Sequence, residues 1–160
     1  MRRLLTIAAL TLLRLATTLS RLSGEDEQAR PAQSPTPTWG GKQFWSDELF
    51  FYQWRIQRNA LSGHCRLLDE NDRRYAWGTY DQCQAVLERI KRQQHLPRMR
   101  GKAVVVLHGL VRSRSAMDPL CRYLGERGGY QVFNLSYAST QCKIADHARS
   151  LRHVINHLDG

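Results

Sequence analysis

Acidic residues are scarce in this chain of 160 residues: 14 Asp and Glu stand against 24 Lys and Arg, a formal net charge of +10. A basic excess directs attention to polyanionic partners such as nucleic acid or anionic lipid. The patterns that hold nucleic acid are nevertheless lacking. No helix-length segment carries a continuous basic stripe, no aromatic-glycine RNA motif appears, and no Cys and His pairs stand at zinc-finger spacing. The arginines are scattered instead, among them Arg55, Arg58, Arg66, Arg73, Arg74, Arg112 and Arg114, which reads as a solvated basic surface. Nucleic acid is therefore not expected as a partner.

C-x-x-C is also missing, which argues against a zinc ribbon and thioredoxin-like chemistry. The four cysteines are Cys65, Cys83, Cys121 and Cys142. In an exported chain an even number permits disulfides, of which Cys65–Cys83 is the most local pairing; buried free thiols are the alternative. Neither Cys121 nor Cys142 has a base beside it in sequence, so a nucleophilic cysteine is not expected. His153 and His157 share a helix face, but the glutamate of H-E-x-x-H and a third ligand are absent, so no metal and no cofactor are expected.

Long apolar runs are lacking too. Leu4–Leu13, preceded by Arg2 and Arg3, is shorter than the ~20 residues a membrane-spanning helix needs. A short basic region followed by ~7–15 apolar residues is the signal-peptide pattern. Arg14 closes the run, and Ala16–Ser20 offers the best cleavage region. Residues 1–20 are thus expected to be a signal peptide or, uncleaved, a short membrane anchor. Either outcome implies export: a periplasmic, secreted or membrane-anchored protein. Residues 21–41 are polar, with Glu25, Asp26, Glu27, Pro31, Pro35 and Pro37, and are expected to form a disordered linker. The folded part is expected over residues 42–160, with no internal repeat and no second domain.

What is present from Phe44 onward is a sequence of strand and helix patterns. Phe50, Tyr52, Trp54 and Ile56 alternate with Phe51, Gln53, Arg55 and Gln57, which predicts a half-buried strand. Asn59–Gly63 carries turn residues, and Cys65–Leu68 reads as the returning strand of a hairpin. Asp69–Arg74 is charged and loop-like. Thr79 and Gln82 stand at capping-box spacing ahead of the apolar stripe Val86, Leu87 and Ile90, with Lys91, Arg92 and His95 near the end and Pro97 beyond. Lys102–Leu107 is an unbroken β-branched run, the signature of a parallel strand buried on both faces. Ser115–Arg127 predicts a helix burying Met117, Leu120, Cys121 and Leu124, opened by Asp118-Pro119 and stopped by Gly128-Gly129. Tyr130–Tyr137 predicts a strand with Val132, Phe133 and Leu135 inside. Lys143–Leu158 predicts a helix burying Ile144, Ala148, Leu151, Ile155 and Leu158. Trp39, Trp45, Trp54 and Trp77 read as packing residues. The order of elements predicts an α/β fold, an antiparallel hairpin beside parallel strands with flanking helices.

The segment Val104-Val105-Val106-Leu107-His108-Gly109-Leu110, followed by a turn bearing serine and arginine and then a helix, resembles the α/β-hydrolase family of lipases and esterases. The helix, Gly128-Gly129, a strand ending Asn134-Leu135-Ser136-Tyr137, a loop and a further helix continue the resemblance over Lys102–Gly160. It implies that the backbone N–H of Leu110 is an oxyanion-hole donor, that His108 and Gly109 shape the loop, and that His108 is not the base, which comes last in that family. It implies an ester or lipid substrate for a complete relative. The family's nucleophile sits in G-x-S-x-G, and Ser113, Ser115, Ser136 and Ser139 all lack the flanking glycines. The resemblance therefore implies a partial sheet truncated before the nucleophile elbow, inactive alone. It also implies an open edge along Val104–Leu107, where a protein partner could add a strand.

Overall fold

Short turns join the extended runs that follow Trp45, so the strands pair with their sequence neighbours. The computed structural model describes residues 35–38 and 41–158. Residues 1–20 and most of the linker segment lie outside the described residues. Among those described, no helix is long and apolar enough to cross a membrane. Strands β1 (Thr36–Pro37), β2 (Trp45–Phe51), β3 (Trp54–Asn59), β4 (Cys65–Leu68) and β5 (Arg73–Gly78) form a five-stranded sheet in the order β1-β5-β4-β3-β2. All its pairings are antiparallel. Helix α1 (Tyr80–Gln93) follows. Strands β6 (Ala103–Leu107) and β7 (Gln131–Leu135) then form a parallel pair, connected through helix α2 (Asp118–Gly128), and helix α3 (Ile144–Leu158) ends the described chain. The architecture is mixed α/β.

The antiparallel part is larger than the hairpin that the residue pattern suggests. Phe50–Gln57 is not one strand but the end of β2 and the start of β3, folded back at Tyr52 and Gln53. Neither is a usual turn residue, and Tyr52 takes a left-handed φ of 50°. Contacts distant in sequence hold it there: the Tyr52 N–H donates to Met99 Sδ at 3.2 Å, and the Tyr52 hydroxyl donates to the Arg98 carbonyl at 3.3 Å. The charged stretch read as a loop closes quickly and becomes β5. Asp69 Oδ1 accepts from the N–H groups of Asn71 and Arg73, both at 2.9 Å, a side-chain-built turn that launches the strand. Thr36 and Pro37, within the segment expected as linker, pair with Arg74 and Arg73 at the sheet edge. Thr38 Oγ1 donates to the Asp72 carbonyl at 2.8 Å.

Helix α1 begins as its spacing predicts. Thr79 caps the Gln82 N–H while the Gln82 side chain accepts from the Thr79 N–H. It buries Cys83, Leu87 and Ile90 against Leu49, Phe51, Trp54, Ile56, Cys65, Leu67 and Ala76. Period-two alternation along β2 sends Phe50 to a second cluster, with Phe133 and Leu135 of β7 and Val154 of α3. Phe50 and Phe133 meet edge to face at 5.7 Å. This second cluster and the backbone bond from Asp47 N–H to the Ser136 carbonyl, 2.8 Å, attach the parallel pair to β2.

Three expectations of burial are corrected. β6 is not buried on both faces: only Val106 is fully buried, Val104 and Val105 are half-buried, and Leu107 is 44% exposed. The reason is its neighbourhood, because among the described residues β6 is hydrogen-bonded to β7 alone. Helix α2 buries none of its residues, although Met117, Cys121 and Leu124 are partly covered. Helix α3 turns Val154 into the core, flanked by Leu151 and Leu158, while Ile144 is 86% exposed and Ala148 and Ile155 are also exposed. The side facing β2 and β7 is therefore rotated away from the centre of the helix's apolar stripe.

Candidate functional site

The parallel unit delivers its loops to one place, the carboxyl ends of β6 and β7, where open α/β sheets place ligands. After β6, His108 is buried and its ring stacks on Tyr137 at 4.2 Å and 9°. The Tyr137 hydroxyl donates to the His108 carbonyl, and the Tyr137 N–H donates to His108 Nε2 at 3.4 Å. An accepting Nε2 leaves the proton on Nδ1, which points at the Gly109 carbonyl at 2.9 Å. Both ring nitrogens are thus engaged, and the imidazole is built as a spacer that fixes the loop.

Gly109 to Arg112 is a β-turn, closed by the Arg112 N–H donating to the Gly109 carbonyl at 3.1 Å. Its third residue, Val111, has φ 60°. A β-branched residue in the left-handed region is strained by roughly 1–3 kcal/mol, and such strain gathers at functional loops. The Val111 N–H donates to Ser139 Oγ at 3.3 Å, tying the turn to the loop after β7. Leu110, the second residue of the turn, is 69% exposed. Its N–H has no acceptor among the described residues.

Behind this loop lies a row of buried polar groups that strand alternation alone does not reveal. Asp47, Gln57 and Arg66 are register partners across β2, β3 and β4. Arg66 donates through Nε and Nη2 to Gln57 Oε1 at 3.0 and 2.8 Å. Gln57 Nε2 donates to Asp47 Oδ1 at 2.7 Å, and the Ser136 N–H donates to Asp47 Oδ2 at 2.6 Å. Every bond in the row points toward Asp47, so its carboxylate terminates a directional chain. Burial pushes the Asp47 carboxyl up to about 6, against the Ser136 and Gln57 bonds that favour its charged form. Burial likewise lowers the Arg66 guanidinium to about 10, which leaves it charged at neutral pH. Its guanidinium also stacks over the Trp45 ring at 3.9 Å.

A cavity of about 600 Å³ opens between the loops and this row, with His108, Val111, Ser136 and Tyr137 on one side and Gln57 and Arg66 on the other. Asp72 sits in its wall and gathers three cations: Arg55, Arg114 at 3.3 Å and Lys42 at 3.3 Å. Ser113 and Ser115 also line it, their hydroxyls bonded to each other at 2.7 Å and to no histidine. The cavity thus brings His108 and Val111 of the loop together with Arg55, Gln57, Arg66, Asp72 and Tyr137, whereas Gly109, Leu110 and Asp47 do not line it.

The remaining candidates lie elsewhere. Cys65 and Cys83 are free thiols in the α1 cluster, pushed by burial up to about 11 and about 12. Cys121 and Cys142 are partly exposed free thiols. His153 and His157 meet edge to face at 4.5 Å, and His157 approaches the Tyr80 hydroxyl at 3.4 Å. No group of metal-ligating side chains forms among the described residues. Asp118 opens α2 and accepts from Asn134 Nδ2 at 3.0 Å. Trp45 and Trp54 are buried, Trp77 is 45% exposed, and Trp39 lies outside the described residues. No family model matches the chain, and searches of curated proteins and of solved structures return no match either.

Proposed function

We propose that the turn Gly109–Arg112 is the oxyanion-binding loop of a lipase- or esterase-like serine hydrolase, and that this chain supplies that loop and the floor of the substrate cavity. The observation that carries the reading is the N–H of Leu110, which has no acceptor among the described residues and lies on a strained turn at the carboxyl end of a parallel strand, where its neighbours His108 and Val111 line a polar cavity. Acyl transfer builds negative charge on a carbonyl oxygen, and a fixed backbone N–H stabilises it without reorganisation. His108 holds the carbonyl of Gly109, Ser139 holds the N–H of Val111, and the donor between them is left free.

No serine of residues 1–160 has the nucleophile's glycine setting, so the reading assigns the loop and not the triad. The test is an alkyl fluorophosphonate, which forms a tetrahedral adduct on an activated serine, applied to the protein isolated from its native source. The expected result is labelling of a serine within a G-x-S-x-G segment carried by, or bound to, this polypeptide. A native protein in which no serine reacts contradicts the reading.

The edge of β6 that is unpaired among the described residues favours a second reading, a non-catalytic module that takes up an extended segment of a protein partner by strand addition. A native protein that remains a monodisperse monomer, with amide exchange along Ala103–Leu107 as slow as in β4, contradicts it.

A further inference from the structure

We infer that the cavity beside the Leu110 loop binds a phosphoryl group. The charge balance of its wall is the first observation. Lys42, Arg55, Arg66, Arg112 and Arg114 line it, against the carboxylates of Asp72 and Asp118. Asp72 alone faces three of those cations. Asp118 is turned to Asn134, and Arg66 donates to the neutral Gln57, behind which the buried Asp47 carboxylate balances part of the charge of Arg66 and Arg114. Five cations against three carboxylates, Asp47 included, leave positive charge in excess around one open cavity, which focuses an attractive field on an anion.

Arg55 is the second observation. It is only 4% exposed, it lines the cavity, and its Nε and Nη1 have no acceptor among the described residues. A guanidinium stays charged in a protein, and buried donors without partners are strongly disfavoured, so the group is poised for an acceptor. Ser113, Ser115 and Ser136 also line the cavity, and hydroxyls can donate to further oxygens. A phosphoryl dianion offers three acceptor oxygens and close to two negative charges, which suits a wall with two cations in excess better than a single carboxylate does. The inference rests on the proposed hydrolase reading only where it makes the phosphoryl group part of a substrate; the binding itself needs no turnover.

Calorimetric titration of the full chain at physiological ionic strength tests it, with inorganic phosphate, phenyl phosphate and acetate as separate probes. Both phosphates are expected to bind at one shared site, each at least ~10-fold more tightly than acetate. Phenyl phosphate binding more tightly than inorganic phosphate identifies a phosphate ester as the ligand; equal affinity identifies free phosphate. Arg114→Gln, at a partly exposed position, is expected to weaken phosphate by roughly 10-fold. Asp72→Asn is expected to tighten it, because the competing carboxylate is gone while Asn tolerates the left-handed φ of 61° at that position. Phosphate binding no tighter than acetate, or binding unchanged in both variants, overturns the inference. Phosphate binding in a native protein whose serines do not react with fluorophosphonate leaves the anion site standing and removes the hydrolase reading.

Discussion

Asp47 makes the stability of the fold depend on pH in an unusual direction. Its carboxyl is fully buried between β2 and the end of β7, and burial lifts it from 3.8 to about 6. A raised carboxyl means that the folded state holds the proton more tightly than the unfolded chain. The associated stabilisation is fully present below the unfolded value of 3.8 and is lost as pH rises through about 6. At ~1.4 kcal/mol for each tenfold difference in proton affinity, the interval corresponds to about 3 kcal/mol. About 2 kcal/mol of that falls between about pH 4.5 and about pH 7.5. Asp47→Asn removes the titration but leaves other titrating groups in place. Its fixed offset, from placing an amide N–H against the donors of Gln57 or Ser136, does not vary with pH. Urea denaturation of both proteins across that range is the assay. Relative to Asp47→Asn, the parent chain is expected to lose about 2 kcal/mol as pH rises. A constant difference, or one that grows in favour of the parent, refutes the argument that burial outweighs the two hydrogen bonds.

Val111→Gly is expected to stabilise the chain by about 1 kcal/mol in the same assay, because glycine takes the left-handed turn position without strain; a loss of stability shows that the valine side chain contributes more than its backbone conformation costs. Thr79→Ala removes the hydroxyl that accepts from the Gln82 N–H and is expected to cost about 1 kcal/mol, measured as a shift of the urea midpoint at unchanged slope. Cys65 and Cys83 are expected to resist thiol reagents in the folded protein and to react on unfolding, since both thiols are buried and pushed upward. Reaction of either with the native protein, read by mass spectrometry, contradicts that packing.

The features legible in the sequence are the local ones. The capping box of Thr79 and Gln82 satisfies itself within one turn, and Gly129 ends α2 in the left-handed conformation that glycine favours, at φ 63°. The β6 and β7 runs stand out because their β-branched and aromatic residues are bounded by turns. The Tyr52 turn is illegible because its support comes from Met99, 47 residues away. The row Asp47, Gln57 and Arg66 is hidden for a related reason. Each residue looks like a solvated position on its own strand, and only the register of three strands shows that they meet in the interior. The apolar stripe of α3 is real in the sequence, yet the helix buries Val154 at its margin, since the described sheet meets that side only. His108, Gly109 and Leu110 are legible as a loop, whereas the stacking of Tyr137 that fixes His108 depends on the parallel pairing of β6 with β7.

The most direct test of the oxyanion-loop assignment is the rate of fluorophosphonate labelling of the G-x-S-x-G serine carried by, or bound to, this polypeptide in the native protein, in Leu110→Pro compared with Leu110→Ala. Proline suits the second position of a β-turn and deletes the N–H, whereas alanine deletes the side chain and keeps the N–H. With both variants folded by circular dichroism, the account predicts that Leu110→Pro slows labelling by roughly 100- to 1000-fold while Leu110→Ala stays close to the parent. Equal rates in the two variants contradict it, because the N–H of Leu110 then stabilises no charge in the reaction.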